Sequence, residues 1–367
     1  MSSLALFFTG GVSLKDWERF RNLDRELRRH EEFGKYFQHM RFFTYGNSED
    51  FSFNDRLPSN LTVYPKKWNV SSKLYSFLLP FAYRKEIQGS TILKTNQMNG
   101  SWAAVIAKKL YGGKLVVRSG FEWLRFCQFK KRSKIMLFFI RLLENFSYKN
   151  ADAIILPSQE DKDFVVDTFH IEESKVALIP NHIDIEFFRP MAVQKEEGRI
   201  TAVVRLEKQK NIFAAIEAVA GLPHVKLVLF GSGSLKEELE AFAKKSGSNV
   251  EFRGSVLQEQ LPEELNKSQL FIQSSFFEGS PKSLLEAMSV GLPCIGTNVP
   301  GINNVIVHGQ NGYLCGTDAD SMRKAITEVL RDKELQERMG VEARKTIEYT
   351  YSFEKIYQQE LRLLQSL

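Results

Sequence analysis

The stretch EGSPKSLLE, Glu278 to Glu286, decides how this chain is read. Gly279, Ser280, Pro281, Lys282 and Ser283 separate the first glutamate from a mostly apolar run that starts at Leu284, passes Met288 and ends at Gly291-Leu292-Pro293. Glycine and proline favour a tight loop, and the run after them reads as a helix. A helix start presents unpaired backbone N–H groups and the positive end of the helix dipole, which suits a phosphate. Glu278 precedes the helix and Glu286 lies inside it, so the two need not share a face. That argues against a hydrolase with paired carboxylates on one bond and for two separate hydrogen-bonding duties, one toward a sugar and one toward a ribose. The competing reading is a plain helix start capped by Ser280 and Ser283, which leaves Glu286 unexplained.

Outward from this stretch, short apolar strands alternate with helices. In the second half strands are expected at 199–204, 225–230, 250–252, 270–273, 294–297 and 312–315, with helices at 212–220, 235–245, 261–266 and 320–330. In the first half strands are expected at 4–8, 42–45, 61–64, 91–95, 114–117, 154–157 and 176–180. Ser13 to Asp16 reads as a capping box, opening a helix whose Trp17, Phe20, Leu23 and Leu27 keep helical spacing. Another helix is expected at 103–110 and one from Asp161 onward, while the apolar YSFLLPFAY is broken by Pro80. Such alternation argues parallel sheets covered on both faces, that is, two doubly wound α/β domains. The polar, aperiodic MAVQKEEG at 191–198 marks a boundary. The expected division is an N-terminal domain over 1–190, a C-terminal domain over 191–350, and a helix over 351–367 that packs back across the boundary.

The 367 residues, 43% hydrophobic and 26% charged, suit a soluble globular protein of two domains. The net charge of +6 is uneven. Residues 1–190 hold 29 Lys and Arg against 21 Asp and Glu, whereas residues 191–367 hold 21 against 23. A basic first half points to an anionic partner, and its plainer reading is a solvated surface. Within it, Phe121 to Tyr148 interleaves aromatic residues with Lys130, Lys131, Arg132 and Lys134, the pattern of a helix lying on an anionic membrane. No nucleic-acid-binding module accompanies it, so no nucleic acid is expected as a partner. Cys127, Cys294 and Cys315 have no metal-ligand spacing. Neither a secretory leader nor a transmembrane run is read, so a cytoplasmic protein, peripheral on the inner face of a membrane, is expected.

Ligands of doubly wound sheets sit outside the carboxyl ends of the strands. Arg205 and Lys210 follow the first strand of the second half and form a cation pair suited to a diphosphate. Gly231 and Gly233 let backbone approach closely, and Gly10-Gly11 end the first strand of the chain. No metal-ligand cluster is read: Asp318 and Asp320 precede a helix and suit a cap.

These pieces together resemble the family-4 retaining glycosyltransferases of the GT-B fold over nearly the whole length. The match runs through Asn181-x2-Asp184, Phe188 and Pro190, then Arg205-Leu206-x3-Lys210, Gly231-x-Gly233 and Phe252-x-Gly254. It continues with Ser274-Ser275, Glu278-x7-Glu286-Ala287-Met288-x2-Gly291-x-Pro293 and Gly309-x2-Gly312. The resemblance implies two Rossmann-like domains facing across a cleft and a nucleotide-diphosphate sugar as donor, with no metal or further cofactor. It implies that Arg205 and Lys210 hold the donor diphosphate, with backbone at Gly10-Gly11 and at the start of the helix from Gly279 through Ser280, Pro281, Lys282, Ser283 and Leu284. Glu286 would bind the ribose and Glu278 the transferred sugar. Backbone near Gly254, Ser255 and Val256 would meet the nucleobase. The implied activity moves a hexose-type sugar to a glycan or lipid-linked acceptor in cell-surface polysaccharide or glycoconjugate assembly. The alternatives are an epimerase of the same fold and a nucleotide-binding module without turnover. Departures from the family pattern are Gly301-Ile302-Asn303-Asn304, His182 in place of a glycine, and Val117 to Glu122 without a histidine, where Arg118 or Glu122 would contact the sugar or acceptor instead.

Overall fold

The computed structural model describes residues 2–20, 23–120, 122–129 and 131–367. Each half of the chain builds its own parallel sheet. β1 (Ser3–Phe7) leads through α1 (Leu14–Arg19) and α2 (Leu23–Gly34) to β2 (His39–Phe43), and a 3₁₀ segment over Ser48–Arg56 leads to β3 (Leu61–Tyr64). α3 (Ser72–Ala82) and the single turn α4 (Arg84–Ile87) precede β4 (Ile92–Thr95), and α5 (Ser101–Tyr111) joins it to β5 (Lys114–Arg118). α6 (Trp123–Phe129) and α7 (Lys134–Asn150) lead to β6 (Ala153–Leu156), and α8 (Gln159–Phe169) to β7 (Val176–Leu178). The strand order is β3-β2-β1-β4-β5-β6-β7.

The second sheet alternates β8 (Arg199–Val203), α9 (Ile212–Val219), β9 (Lys226–Phe230), α10 (Lys236–Ser246) and β10 (Val250–Gly254). It goes on through α11 (Leu261–Asn266), β11 (Leu270–Gln273), α12 (Lys282–Ser289), β12 (Cys294–Thr297) and β13 (Tyr313–Cys315). α13 (Ala319–Arg331), α14 (Lys333–Thr346) and α15 (Phe353–Gln365) finish the chain. The order is β10-β9-β8-β11-β12-β13. Strand order reverses between β1 and β4 in one sheet and between β8 and β11 in the other, so the loops after those strands are where each sheet can receive a ligand.

Local chemistry accounts for the elements. β1, β4 and β6 are wholly buried, as strands covered by helices on both faces must be. The capping box forms at α1: Ser13 Oγ accepts from the Asp16 N–H at 3.0 Å and the Ser13 N–H donates to Asp16 Oδ2 at 2.8 Å. The helix expected from Leu14 through Leu27 is two helices, and Arg21 and Asn22 between them lie outside the described residues. Pro80 does not break α3. It sits in the last turn, where only one helical hydrogen bond is forfeited.

The chain separates into two compact units, one running to Ile179 and including Tyr357–Leu367, the other Pro180–Ile356. The expected divisions stood at 190/191 and 350/351. The difference has a packing cause: Ile183 and Phe188 are buried in a hydrophobic cluster with Leu284, Leu285, Met288 and Ile347, so the segment before Pro190 belongs to the second unit. α14 was not expected. Gly340 in its middle lowers helix propensity, yet this glycine permits the packing, since a Cβ there would stand 2.4 Å from the Gly291 carbonyl oxygen. Among the described residues no helix is long and apolar enough to cross a membrane.

Candidate functional site

Reversal of strand order sets the loop after β8 beside the loop after β11. The Phe276 N–H donates to Gln209 O at 2.9 Å, Ser274 Oγ to Lys210 O at 2.7 Å, and Gln209 Nε2 to Phe277 O at 3.0 Å. Asn211, in the left-handed region at φ 52°, turns the chain into α9 and donates from Nδ2 to Thr317 O at 2.8 Å. These bonds aim Lys210 at the glutamate of the opening stretch. Lys210 Nζ donates to Glu278 Oε1 at 2.5 Å, and both side chains are largely buried.

The same oxygen of Glu278 accepts two more hydrogen bonds, from Ser275 Oγ at 2.6 Å and Gln273 Nε2 at 2.8 Å. Among the described residues its partner oxygen, Oε2, takes none. Gln273 is buried at the end of β11 and also accepts from Ser283 Oγ at 3.2 Å, tying the loop to the first turn of α12. The Glu278 N–H donates to Pro300 O at 3.0 Å. Gly301, at φ +83°, lies directly beneath, where a Cβ would approach Glu278 O to 2.1 Å. Glycine is required there by both conformation and space.

α12 starts without a side-chain cap. Pro281 occupies the N-cap position and no side chain bonds an amide there, so the capping role expected of Ser280 and Ser283 is corrected: Ser283 reaches Gln273 instead. The first helical bond runs from the Leu285 N–H to Pro281 O at 3.1 Å, which leaves the N–H groups of the preceding turn outside the helical ladder. One turn in, Glu286 is buried and pairs with Lys282 across 3.1 Å. Arg205 is exposed at the carboxyl end of β8, and among the described residues its guanidinium makes no bond.

At Gly231 and Gly233 the close approach within the second unit is to backbone of this chain. A Cβ on Gly231 would stand 1.8 Å from Val204 O, and one on Gly233 2.3 Å from Leu206 O. Their close neighbour is therefore the loop after β8, held also by the Leu206 N–H to Ser232 O at 3.0 Å. The Gly231 N–H donates to Gly254 O at 2.7 Å, and Ser255 Oγ lies 3.5 Å from Ser232 Oγ, so Gly231, Gly254 and Ser255 gather at adjoining strand ends, with the half-buried Val256 following. Within the first unit, Gly10 and Gly11 form the turn after β1; the Gly10 N–H donates to Asn99 O at 2.8 Å and Gly11 has φ +87°.

Arg118 and Glu122 are not available to a ligand. Arg118 is buried and pairs with Glu360 of α15 across 3.2 Å, and Lys94 pairs with the other Glu360 oxygen across 3.0 Å. Burial alone would raise the Glu360 pKa, but Lys94, Arg29 and Arg118 hold it well below the carboxylate range. Glu122 is also buried; its two oxygens accept from the Tyr148 hydroxyl at 3.1 and 3.0 Å, and burial pushes its pKa well up. Phe121 and Lys130 lie outside the described residues. Asp318 caps α13, accepting from the Ser321 N–H at 2.8 Å, as its position before a helix suggests. Sequence reasoning missed Gln273 and Glu360. The signal for Gln273 was a lone polar residue closing the apolar strand LFIQ; a buried glutamate on an amphipathic helix left none.

Residues 184–346 match the family described as glycosyl transferases group 1, and residues 39–187 match glycosyltransferase family 4. A relative from Escherichia coli, UDP-Gal:alpha-D-GlcNAc-diphosphoundecaprenol alpha-1,3-galactosyltransferase, is 30% identical over 63% of this chain and 64% of its own. The chain spans less than two thirds of the length of the curated relatives it matches, 64%, 60% and 52% for three of them. In fold it is similar to sucrose-phosphate synthase from Thermosynechococcus elongatus, with a TM-score of 0.80 at 16% identity, covering 100% of this chain and 99% of that one. It is similar also to Anabaena HepE in complex with UDP and glucose, with a TM-score of 0.78 at 15% identity and 100% of both chains covered.

Proposed function

Because the chain belongs to the family-4 glycosyltransferases of the GT-B fold, we propose that it moves a hexose-type sugar, with retention, from a nucleotide-diphosphate sugar to a glycan or lipid-linked acceptor in polysaccharide or glycoconjugate assembly. The observation that carries this reading is the convergence of Lys210 on Glu278 beside the uncapped start of α12. An ammonium has three donors, so Lys210 can keep its bond to Glu278 while another N–H meets a phosphate oxygen. Arg205 and the open N–H groups at Ser283 and Leu284 join it on the donor diphosphate. Glu286 takes the ribose hydroxyls in exchange for Lys282. Gly254, Ser255 and Val256 meet the nucleobase through backbone.

Glu278, fixed through Oε1, turns its other oxygen to the transferred sugar. As the glycosidic bond to the diphosphate breaks, the anomeric carbon gains oxocarbenium character and Arg205, Lys210 and the helix dipole stabilise the leaving charge. The β-phosphate oxygen takes the acceptor's proton on the face that the nucleotide leaves. No metal or further cofactor enters this scheme. Peripheral contact with an anionic membrane, from the cytoplasmic side, belongs to the same reading. An epimerase of the same fold is not favoured, because relatives that the chain matches include a galactosyltransferase and a glycosyltransferase by name.

The test is a panel of nucleotide sugars, UDP-linked hexoses first, scored by release of nucleotide diphosphate in the presence of lipid diphosphate-linked and free glycans, and by thermal shift. A stabilising shift and release with one donor are expected. No response to any donor overturns the reading.

A further inference from the structure

Helix α7 has its polarity inverted. Its buried face carries Glu144, Ser147 and Tyr148 beside Ile140, whereas Ile135, Phe138 and Phe139 are 72%, 59% and 59% exposed. Leu142 continues the exposed stripe one turn on. α3 buries an apolar face around Tyr75 and Leu79 but also leaves Leu74 and Phe81 at 51% and 56% exposure, seven positions apart on one helical face. α5 packs against both helices, so the three form one layer on one side of the first sheet. Aromatic and aliphatic side chains in contiguous stripes of this size mark a surface that something else covers.

The charge around them says what covers it. Between Asp55 and Glu144 the chain holds 17 Lys and Arg and two acidic residues, Glu86 and Glu122. Glu122 is buried, while Arg132, Lys134 and Arg141 flank the apolar stripe of α7 as exposed cations. A second copy of this chain would bring the same cation excess against itself. An anionic bilayer offers both complements, hydrocarbon for the stripes and phosphate headgroups for the cations.

We propose that the outer faces of α3 and α7 dock the first unit onto an anionic lipid bilayer. This deepens the lipid-linked acceptor reading above and rests on it for the acceptor only. Both helices begin on the side of the sheet where the strands end, the edge that also carries the Gly10-Gly11 turn. The acceptor class that follows is an amphiphile anchored in the membrane, its polar group presented along that edge.

The experiment sediments the full chain, without nucleotide sugar, with vesicles of phosphatidylglycerol and phosphatidylcholine and with phosphatidylcholine alone. Binding to the anionic vesicles is expected. Phe138→Ser with Phe139→Ser should weaken it by about tenfold or more, and Arg132→Gln or Lys134→Gln by about fivefold each. These side chains are exposed, so the thermal midpoint should stay unchanged and certify the fold. Wild-type protein that remains in the supernatant with both vesicle types, or a double variant that binds like wild type, overturns the proposal. A wild-type dimer that the same double substitution dissociates overturns it too, by making the face a contact between copies. Nucleotide diphosphate release across the donor panel, with free glycans and with a detergent-solubilised lipid diphosphate-linked acceptor, measured in parallel, separates the two readings. Release without vesicle binding rejects docking and leaves the transferase standing; vesicle binding without release supports docking and rejects the transferase.

Discussion

At the scale of single residues, the site is a carboxylate held by three donors. Lys210, Ser275 and Gln273 all bond Glu278 Oε1, and only Lys210 can also contribute charge to a leaving diphosphate. Lys210→Ala and Arg205→Ala should each lower kcat by roughly 10²–10³ as preorganised cations are lost, and near-normal kcat in either variant would remove that residue from the proposed machinery. Gln273→Leu keeps the volume but deletes one bond to a charged acceptor and leaves Ser283 unpaired. It should lower kcat by about 10–100-fold with little change in donor KM, because Gln273 positions the glutamate and lies beneath it. A change confined to donor KM would instead make it a binding residue.

At the scale of elements, α12 is steered by α14. The Gly340 position brings helix backbone against Gly291, where an added Cβ meets the carbonyl oxygen at 2.4 Å. Gly340→Ala should destabilise the second unit by about 1–3 kcal/mol despite alanine's better helix propensity, read as a lower urea midpoint. A raised midpoint would show that propensity outweighs packing there. This also explains why α14 was hard to read: its glycine lowers helix propensity and its buried side includes Gln336 as well as Met339 and Ala343. By contrast β11, β12 and α11 fall where apolar runs and turn residues put them, because local pattern and final environment agree there.

At the scale of the whole molecule, the last helix is tied into the first unit by charge. Glu360, fully buried on α15, faces Lys94 and Arg118, with Arg29 nearby. Glu360→Gln leaves Lys94 and Arg118 without their carboxylate and should cost about 3–5 kcal/mol, measured by denaturant unfolding; a loss under about one kcal/mol would mean that water or rearrangement replaces the pair. The pKa of Glu360 is lowered from 4.5, so its contribution is present above that pH and is lost as the medium is acidified below it. The glutamine variant should lack that part of the acid sensitivity.

The sequence by itself determined the two parallel α/β sheets and their strand positions to within a few residues. Those features follow from periodicity, turn residues and spacing, all of which are local. Tertiary structure alone decided that Lys210 reaches Glu278, 68 positions away, that Gln273 holds the same oxygen, and that Arg118 is taken by Glu360 across 242 positions. It also decided that the apolar stripe of α7 faces outward while a glutamate faces inward. A helical repeat shows that a stripe exists. Which way it points depends on what the neighbouring strands and helices leave uncovered.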